Sequence, residues 1–260
     1  SAGGGNDWID GGTDADTMDG GFGNDQFTLE SVRDSGVLGQ FLQMEMARGG
    51  DPDMDFLKPS NFEVGFGMGR LQEDDPLTLP EHLELDLGEG EKIKLRGRID
   101  RIDIAESGTF AVTDYKTGRI PEKREILGGY RTQLPVYLMV GERLLAGKVK
   151  DPEAAGGLYY SLRKGLNIKV SGVFFRSAYQ KQAGVPGRGL KDEEFQAALN
   201  KVKHHMRHSL KAVREGFMTS TRHDPDTVCK YCPFEGFCYK DIERTAAFWE
   251  ARELEEAGEQ

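Results

Sequence analysis

The stretch KIKLRGRIDRIDIAESGTFAVTDYK, residues 92–116, has the pattern of a β-hairpin. Apolar and polar side chains alternate along residues 92–104, as they do in a strand whose two faces have different surroundings. The triplet ESG at 106–108 supplies a turn. Residues 109–116 are therefore predicted to return as the second strand of the pair.

The alternation in the first strand changes phase near Asp100. Apolar side chains before this point would share one face of the strand, and those after it would fall on the other. The residues concerned are Ile93, Leu95 and Ile99 before the change and Ile102 and Ile104 after it. Such a change predicts a β-bulge, which would re-aim the Asp100 side chain.

The end of the second strand carries the candidate chemistry. Side chains two residues apart on a strand point to the same face, so Asp114 and Lys116 are predicted to project together. Asp100 can reach the same place from the neighbouring strand, and Glu63, on a predicted strand at 61–67, is a further acid that could join them. Carboxylates beside an ammonium suit Mg²⁺, because a hard cation binds oxygen ligands and the ammonium can orient a water or stabilise phosphate charge. The arrangement is suited to phosphodiester hydrolysis.

The rest of the chain mixes helices with strands. The apolar spacing at 128–145 and 191–216 is typical of amphipathic helices, and GGLYYSL at 156–162 has the composition of a buried strand. Further predicted elements are a helix within 31–60, a strand in NIKVSGVFFRS (167–177) and a terminal helix at 240–257. This order predicts an α/β fold with a mixed β-sheet flanked by helices.

Three motifs in order carry a resemblance to a known family. They are GRID, which ends at Asp100, DYK at 114–116 and QLPVY at 133–137. Together they resemble the G-x-x-D, (D/E)-x-K and Q-x-x-x-Y motifs of the PD-(D/E)xK nuclease superfamily, particularly its RecB and AddB branch. The last spacing places Gln133 and Tyr137 one above the other on a single helical face. The fold implied is a restriction-endonuclease-like core.

The resemblance covers about residues 60–240 and implies a role for each matched residue. The implied roles are metal ligand for Asp100, Asp114 and, as the upstream acid, Glu63; catalytic lysine for Lys116; and DNA contact for Gln133 and Tyr137. The metal would be Mg²⁺ or Mn²⁺. Proteins of the AddB branch act with a partner helicase-nuclease in double-strand break repair, so DNA and such a partner are implied. The chain has no G-x-x-x-x-G-K-[ST] loop, which argues against a P-loop ATPase activity of its own.

Each of these residues also has an ordinary structural interpretation. Asp100 could form a surface ion pair with Arg98 or Arg101, Lys116 could be a strand-end charge, and Tyr137 could belong to the core. On that basis the main alternative to a nuclease is a truncated, catalytically weak module that binds DNA or a partner. A calcium-binding RTX-type protein is a second alternative.

Residues 2–28 contain three consecutive nonapeptides, AGGGNDWID, GGTDADTMD and GGFGNDQFT. Each has a glycine-containing start, Asp at position six and an apolar residue at position eight, and so resembles the RTX calcium-binding repeat. The implied Ca²⁺ ligands are Asp7, Asp16 and Asp25, and the residues that would pack a parallel β-roll are Ile9, Met18 and Phe27. A disordered Gly/Asp-rich leader is the alternative. The chain also begins without Met inside such a repeat, which suggests a fragment or a fusion.

All three cysteines lie in CKYCPFEGFC, residues 229–238. A cluster with an odd count favours a metal over internal disulfides. The spacing of Cys229, Cys232 and Cys238 resembles the C-terminal half of the iron-sulfur staple of AddB-type nucleases, where an upstream Cys completes a [4Fe-4S] site. No upstream Cys is present, and neither is the family's early helical His, so the implied cluster is incomplete. A Cys₃His zinc site with His223 and three buried thiols are the alternatives.

The composition is that of a soluble globular protein, with 260 residues of which 37% are hydrophobic and 30% charged. No run of about 18 apolar residues predicts a membrane span, and the first residues do not resemble a signal peptide. A cytoplasmic location is expected, with secretion as a minor alternative because of the repeats. The net charge of -10 argues against a broad electrostatic grip on nucleic acid, although residues 1–30 hold seven acids and no Lys or Arg, which leaves -3 for the rest.

The predicted organisation has four segments. They are RTX-like repeats in a β-roll-like segment at 1–30, a linker with a helix at 31–60, the nuclease core at 61–228, and a Cys-rich segment with a C-terminal helix at 229–260.

Overall fold

The computed structural model of the chain describes residues 8–9, 26–27, 37–49, 57–69, 75–162, 169–180, 183 and 187–215. The strands are β1 (Trp8–Ile9), β2 (Gln26–Phe27), β3 (Lys58–Phe66), β4 (Leu83–Gly88), β5 (Glu91–Leu95), β6 (Gly97–Ile104), β7 (Thr109–Lys116), β8 (Glu153–Ser161) and β9 (Lys169–Phe175). The helices are α1 (Val37–Gly49), α2 (Lys123–Leu127), α3 (Gln133–Leu145), α4 (Ser177–Gln180) and α5 (Asp192–Arg214). The chain divides into two compact units, Ser1–His205 and Met206–Gln260.

A mixed five-stranded sheet forms the centre of the first unit, in the order β3-β6-β7-β8-β9. Its pairs are antiparallel except for β7 with β8, which run parallel. Parallel neighbours need a crossover connection, and helices α2 and α3 lie in the connection between these two strands. The α/β fold with a mixed sheet flanked by helices is confirmed.

The hairpin predicted from residues 92–116 is present, but its first strand is divided. Strand β5 ends at Leu95 and pairs with β4 in a separate sheet, while β6 starts at Gly97 and pairs with β3 and β7. The predicted bulge at Asp100 is wrong, because β6 keeps one register with β3 across this residue, with Arg101 opposite Phe62 and Ile99 opposite Val64. The change of phase falls inside β6, between Ile99 and Ile102, which point to opposite faces of the strand and are both fully buried.

Helices cover both faces of the central sheet. On the face that we call the front face, which carries Asp114, α3 packs so closely that a Cβ atom on Gly141 would lie 2.6 Å from the ring of Phe110. On the opposite, rear face, the α1 residue Phe41 packs edge-on against Tyr115 and Tyr160, at ring distances of 5.7 and 5.5 Å. Because both faces are covered, β7 is buried along most of its length.

The short strands β1 and β2 lie within the repeats for which a β-roll is predicted. They pair in parallel, with Trp8 opposite Gln26 and Ile9 opposite Phe27. The partners are 18 residues apart, which is the length of two nonapeptides, so these two residues of the first repeat pair with the equivalent two residues of the third. Ile9 and Phe27 are two of the three predicted packing residues, and Met18 lies outside the described residues.

Two of the predicted helices are present in the described residues. The helix expected at 128–145 begins at Gln133, and α5 matches the long helix expected near the C-terminal side. The expected terminal helix at 240–257 lies outside the described residues, and the predicted domain boundaries stay a prediction. Among the helices that are described, none combines the length and the hydropathy that a membrane span requires.

Candidate active site

The sheet register brings the two predicted carboxylates together. One residue beyond the pair of Arg101 and Thr113, Asp100 on β6 comes opposite Asp114 on β7. On its other side, Asp114 pairs with Tyr159 of β8. Residues directly opposite one another share a face of the sheet, so these side chains form a row across three strands on the front face.

Asp114 is buried and is held on both oxygens. Gln133 Nε2 donates a hydrogen bond of 2.5 Å to Oδ1, and Lys116 Nζ lies 2.5 Å from Oδ2. The contact with Lys116 is an ion pair whose angles do not make a hydrogen bond, so Oδ2 has no aligned donor. Burial raises the pKa of Asp114, an effect that Lys116 reduces and the nearby charge of Asp100 reinforces.

Lys116 lies at the end of β7, with its ammonium between the Asp114 carboxylate and the Tyr159 ring. Besides the Asp114 carboxylate, the ammonium lies 5.5 Å from the centre of the Tyr159 ring, a cation–π distance. Its side chain is 29% exposed, so the charge faces the solvent-filled space beside the sheet. A cation held this way is available to a phosphate group entering from that side.

Asp100 is anchored from the backbone of the neighbouring strand. The Tyr115 N–H donates to Asp100 Oδ2 at 2.9 Å. The alternative ion pair with Arg101 does not form, because the Arg101 side chain lies on the rear face with Asp103 and Glu45.

Gln133 and Tyr137 lie on the first turns of α3, and Gln133 contacts both the Asp114 carboxylate and the Tyr137 hydroxyl. Gln133 Nε2 is 3.3 Å from the Tyr137 hydroxyl, as expected for an i, i+4 pair. Burial raises the pKa of Tyr137; the hydrogen bond from Gln133 lowers it, and the negative charges of Asp114, Asp100 and Glu63 raise it further. All three predicted acids therefore act on this one hydroxyl.

Glu63 comes opposite Asp100 in the register of β3 and β6, because Phe62 pairs with Arg101 and Val64 with Ile99, but its carboxylate is engaged by another residue. Its backbone has a φ of 51°, which is uncommon for a residue other than glycine. Its exposed carboxylate pairs with Arg98, with Nη1 and Oε2 3.4 Å apart. Among the described residues no group of three or more His, Cys, Asp or Glu side chains is arranged to hold a metal ion. The carboxylates that converge are thus Asp100 and Asp114.

A cleft of about 400 Å³ opens beside Lys116. It is lined by Lys116, Arg119, Pro121, Tyr130, Arg131, Thr132, Gln133 and Tyr159. Glu125 holds two of the cations in place, through bonds of 2.9 Å from Arg119 and 3.3 Å from Arg131. The cleft therefore offers cations for phosphates and, in the exposed ring of Tyr130, an aromatic surface for a base.

Several cleft residues were not found from the sequence. Tyr159 joins the site only through the parallel pairing of β7 with β8, and no local sequence pattern predicts this pairing. Arg119 and Arg131 could have been predicted as cleft residues, because the connection between the DYK and QLPVY motifs is rich in basic residues. Tyr130 stands in the same connection.

The predicted metal sites at the two ends of the chain lie outside the described residues. They are the calcium ligands Asp7, Asp16 and Asp25 and the cysteines Cys229, Cys232 and Cys238, together with His223.

At the front-face site, the residues fit a divalent metal. Two carboxylates face each other, one of them with a buried oxygen that lacks an aligned donor. Mg²⁺ is commonly held by one or two carboxylates, with waters and substrate phosphates completing its coordination.

Comparison with known proteins identifies two families. The model of the PD-(D/E)XK nuclease superfamily matches residues 47–239, and that of the RTX calcium-binding nonapeptide repeat matches residues 1–27.

Three curated relatives illustrate the similarity, and each is the B component of an ATP-dependent helicase/deoxyribonuclease. The protein of Thermoanaerobacter sp. (strain X514) is 24% identical over 226 residues, covering 69% of this chain and 19% of the relative. That of Clostridium tetani is 36% identical over 110 residues, covering 40% and 9%. That of Ruminiclostridium cellulolyticum is 42% identical over 113 residues, covering 36% and 9%. The chain spans a fifth or less of the length of these relatives.

Proposed function

Since the chain belongs to the PD-(D/E)XK nuclease superfamily, we propose that it hydrolyses phosphodiester bonds of DNA with Mg²⁺ or Mn²⁺ at the front-face site. Asp100 and Asp114 are the metal ligands and Lys116 is the catalytic lysine. The observation that carries the proposal is the position of Asp114, opposite Asp100 in the register and held between Lys116 and Gln133. An isolated structural carboxylate would not need these three neighbours.

Each side chain has a distinct part in this chemistry. When bound, the metal supplies a Lewis acid for the phosphate oxygens and lowers the pKa of a bound water. Lys116, at the wall of the cleft, donates to the attacking water or to a phosphate oxygen and stabilises the charge that develops there. Gln133 fixes the orientation of Asp114, and Tyr137 supports Gln133. Arg131 and its neighbours in the cleft hold the adjacent phosphates of the strand.

Substitution of the two residues at the strand end tests the proposal. The purified chain is expected to degrade DNA with Mg²⁺ or Mn²⁺, and Asp114→Asn and Lys116→Ala should each lower the rate at least about 100-fold. A matched control is Glu84→Gln, which breaks the exposed Lys92–Glu84 pair in the β4–β5 sheet and should leave the rate unchanged. Full activity in both site variants would contradict the assignment.

A non-catalytic DNA-binding module remains the second candidate, and one observation favours it. Glu63 is paired with Arg98, so two rather than three acids converge among the described residues. The two candidates differ in their response to metal. A nuclease should bind Mn²⁺ in calorimetric titration and lose that binding in Asp114→Asn, whereas a module that has lost its chemistry should bind DNA and show no metal binding that depends on Asp114.

The remaining proposals concern the metal sites near the two ends of the chain and a partner protein. We propose that the repeats bind Ca²⁺ through Asp7, Asp16 and Asp25, and that the three cysteines hold either an iron-sulfur cluster completed from elsewhere or zinc with His223. Metal analysis of the purified chain for iron and zinc distinguishes these two. The relatives are subunits B of a helicase/deoxyribonuclease, which supports a partner subunit for this chain. We further propose that the chain acts with a helicase-nuclease partner in break repair, in the cytoplasm.

A further inference from the structure

A buried polar network lies on the rear face of the sheet, directly behind the candidate site. The Arg101 guanidinium donates to both oxygens of Asp103, at 2.5 and 2.8 Å, and to Glu45 Oε2 at 2.6 Å. It also reaches the hydroxyl of Tyr115 at 3.3 Å, and the Tyr160 hydroxyl donates to Glu45 Oε1 at 2.6 Å. We call these five residues the rear network.

The rear network is charged although it is buried. Only 2% of the Arg101 side chain is exposed. Burial by itself lowers the pKa of Arg101, but the hydrogen bonds and charges of Asp103 and then Glu45 outweigh burial, and the pKa is raised. Every member must keep its partners, because an unpaired charge in such a place is costly. The network therefore holds its members in one arrangement.

On each of the strands β6, β7 and β8, one site residue is followed in sequence by a member of the rear network. The three pairs are Asp100 with Arg101, Asp114 with Tyr115, and Tyr159 with Tyr160. Successive side chains on a strand point to opposite faces, so one peptide unit separates a site side chain from a network side chain. A shift of the network therefore moves the site on all three strands.

Tyr115 makes the coupling direct. Its ring is stacked on Tyr160 at 5.8 Å and packed edge-on against Phe41 at 5.7 Å. Its N–H donates to Asp100 Oδ2, so the residue fixed by the network also holds a front-face carboxylate.

Glu45 connects the network to helix α1. Its two oxygens bind Arg101 on β6 and Tyr160 on β8, which are the strands on either side of β7. Glu45 precedes the segment 47–239 that matches the nuclease superfamily, and the match therefore assigns it no role.

We propose that Glu45 is a positioning residue, which acts through Arg101 and Tyr160 to set the separation of Asp100 and Asp114 and so the affinity of the site for a divalent metal. The inference rests on the proposed function, because it takes these two carboxylates as the metal ligands.

Mn²⁺ affinity, measured by calorimetry on the full chain, tests the proposal without relying on cleavage. Glu45→Gln keeps the shape of the side chain but removes its charge, and Tyr160→Phe keeps the stacked ring but removes the hydroxyl. Glu45→Gln should weaken Mn²⁺ binding about 10-fold and Tyr160→Phe several-fold. The matched control is Tyr179→Phe, which removes another hydroxyl bound to a glutamate, the 2.5 Å bond to Glu153, and should leave the affinity unchanged.

The outcomes separate this inference from the proposed function. Unchanged Mn²⁺ affinity in both variants, whatever their melting temperatures, would show that the network only stabilises the fold. Weakened Mn²⁺ binding in a protein that does not cleave DNA would support the positioning role and overturn the nuclease assignment. A wild-type chain that binds no Mn²⁺ would overturn both. If Glu45→Gln does not fold, as judged by circular dichroism, the milder Tyr160→Phe decides.

Discussion

Asp114 is contacted by one side chain of α3, Gln133, and Gln133 in turn contacts Tyr137 on the same helix. Gln133 donates to its carboxylate at 2.5 Å, while Tyr137 reaches it only through Gln133, at 3.3 Å. Gln133→Ala should therefore lower kcat about 10- to 100-fold at saturating Mg²⁺, because the carboxylate loses its orienting donor. Tyr137→Phe should lower kcat only a few-fold, since a bond at 3.3 Å is beyond the usual range. Equal losses in the two variants would contradict this order.

Tyr130 is a second residue whose role can be isolated. It lines the cleft with 57% of its surface exposed, and so offers an aromatic face to a nucleotide base. Stacking of a base on an aromatic side chain contributes about 1–3 kcal/mol. Tyr130→Ala should raise the KM for a single-stranded oligonucleotide about 10-fold without changing kcat, and Tyr130→Phe, which keeps the ring, should not. An effect confined to kcat would exclude stacking as the role of Tyr130.

The residues of the site differ in how far the sequence could predict them. Asp114 and Lys116 are two apart on one strand, and Gln133 and Tyr137 are one helical turn apart, so local geometry places each pair on one face. Tyr159 enters through the register of two parallel strands joined by a long crossover, a contact without a local signal. The pairing of Glu63 with Arg98 could not be predicted either, because Glu63 has a backbone φ of 51°, which departs from the regular strand that its sequence pattern indicates.

At the scale of elements, the packing of α3 on β7 depends on one glycine. A Cβ atom at Gly141 would lie 2.6 Å from the fully buried ring of Phe110. Gly141→Ala gains about 1 kcal/mol of helix propensity, but overpacking a core costs about 1–3 kcal/mol, so a net loss of stability is expected. Denaturant unfolding measures the change. Gly118→Ala, which has open space around it, should leave the unfolding free energy within about 0.5 kcal/mol of the wild type.

The clash itself can be checked with a second substitution. Phe110→Leu should relieve the overpacking, so the double variant with Gly141→Ala should lose less stability than the two single losses added together. Strict additivity would show that the ring does not limit the approach of α3.

The attachment of α3 to β8 should depend on pH through Glu142. Burial raises the pKa of this carboxyl above its ordinary 4.5, although Arg176 and the Ala154 N–H act in the opposite direction. Below pH 4.5 the group is protonated in both folded and unfolded chains, and the native state carries no penalty. As pH rises through the folded pKa, that stability is lost, because the unfolded chain ionises more readily.

Glu142→Gln removes this dependence. The variant should unfold at a higher temperature than the wild type at neutral pH, and the difference should shrink as pH falls towards 4.5. Because the carboxyl is only partly buried, the gain should stay below about 1 kcal/mol. A difference in melting temperature that does not vary with pH would assign the effect to packing instead.

The order of elements was largely predictable, but the boundary between two sheets was not. The alternation in residues 92–104 is typical of a strand in either sheet, and only tertiary pairing determines that β5 joins β4 while β6 joins β3 and β7. A bulge and a strand that is buried on both faces also give the same sequence pattern, because each places apolar residues such as Ile99 and Ile102 at positions of opposite parity. Such ambiguity is resolved by the partners of a strand rather than by its own residues.

At the scale of the whole molecule, charge is distributed in a way that bears on DNA binding. The chain carries -10, of which the seven acids of residues 1–30 account for -7. The cations of the cleft, by contrast, are few and partly neutralised by Glu125. Because repulsion between exposed charges acts over about 30 Å at 0.01 M salt and about 10 Å at 0.1 M, the acidic segment should oppose DNA binding mainly at low ionic strength.

Calcium should relieve this repulsion if the repeats bind it. In a chain carrying Asp114→Asn to prevent cleavage, Ca²⁺ at constant Mg²⁺ should strengthen binding of an oligonucleotide about two- to three-fold at low salt, since bound cations offset the acids of the repeats. Replacing Asp7, Asp16 and Asp25 together by Asn should remove the response to Ca²⁺. The response of the unreplaced chain should also fade at 0.15 M salt, where the Debye length is about 8 Å. A Ca²⁺ effect that survives the triple replacement would place the responsible site outside the repeats.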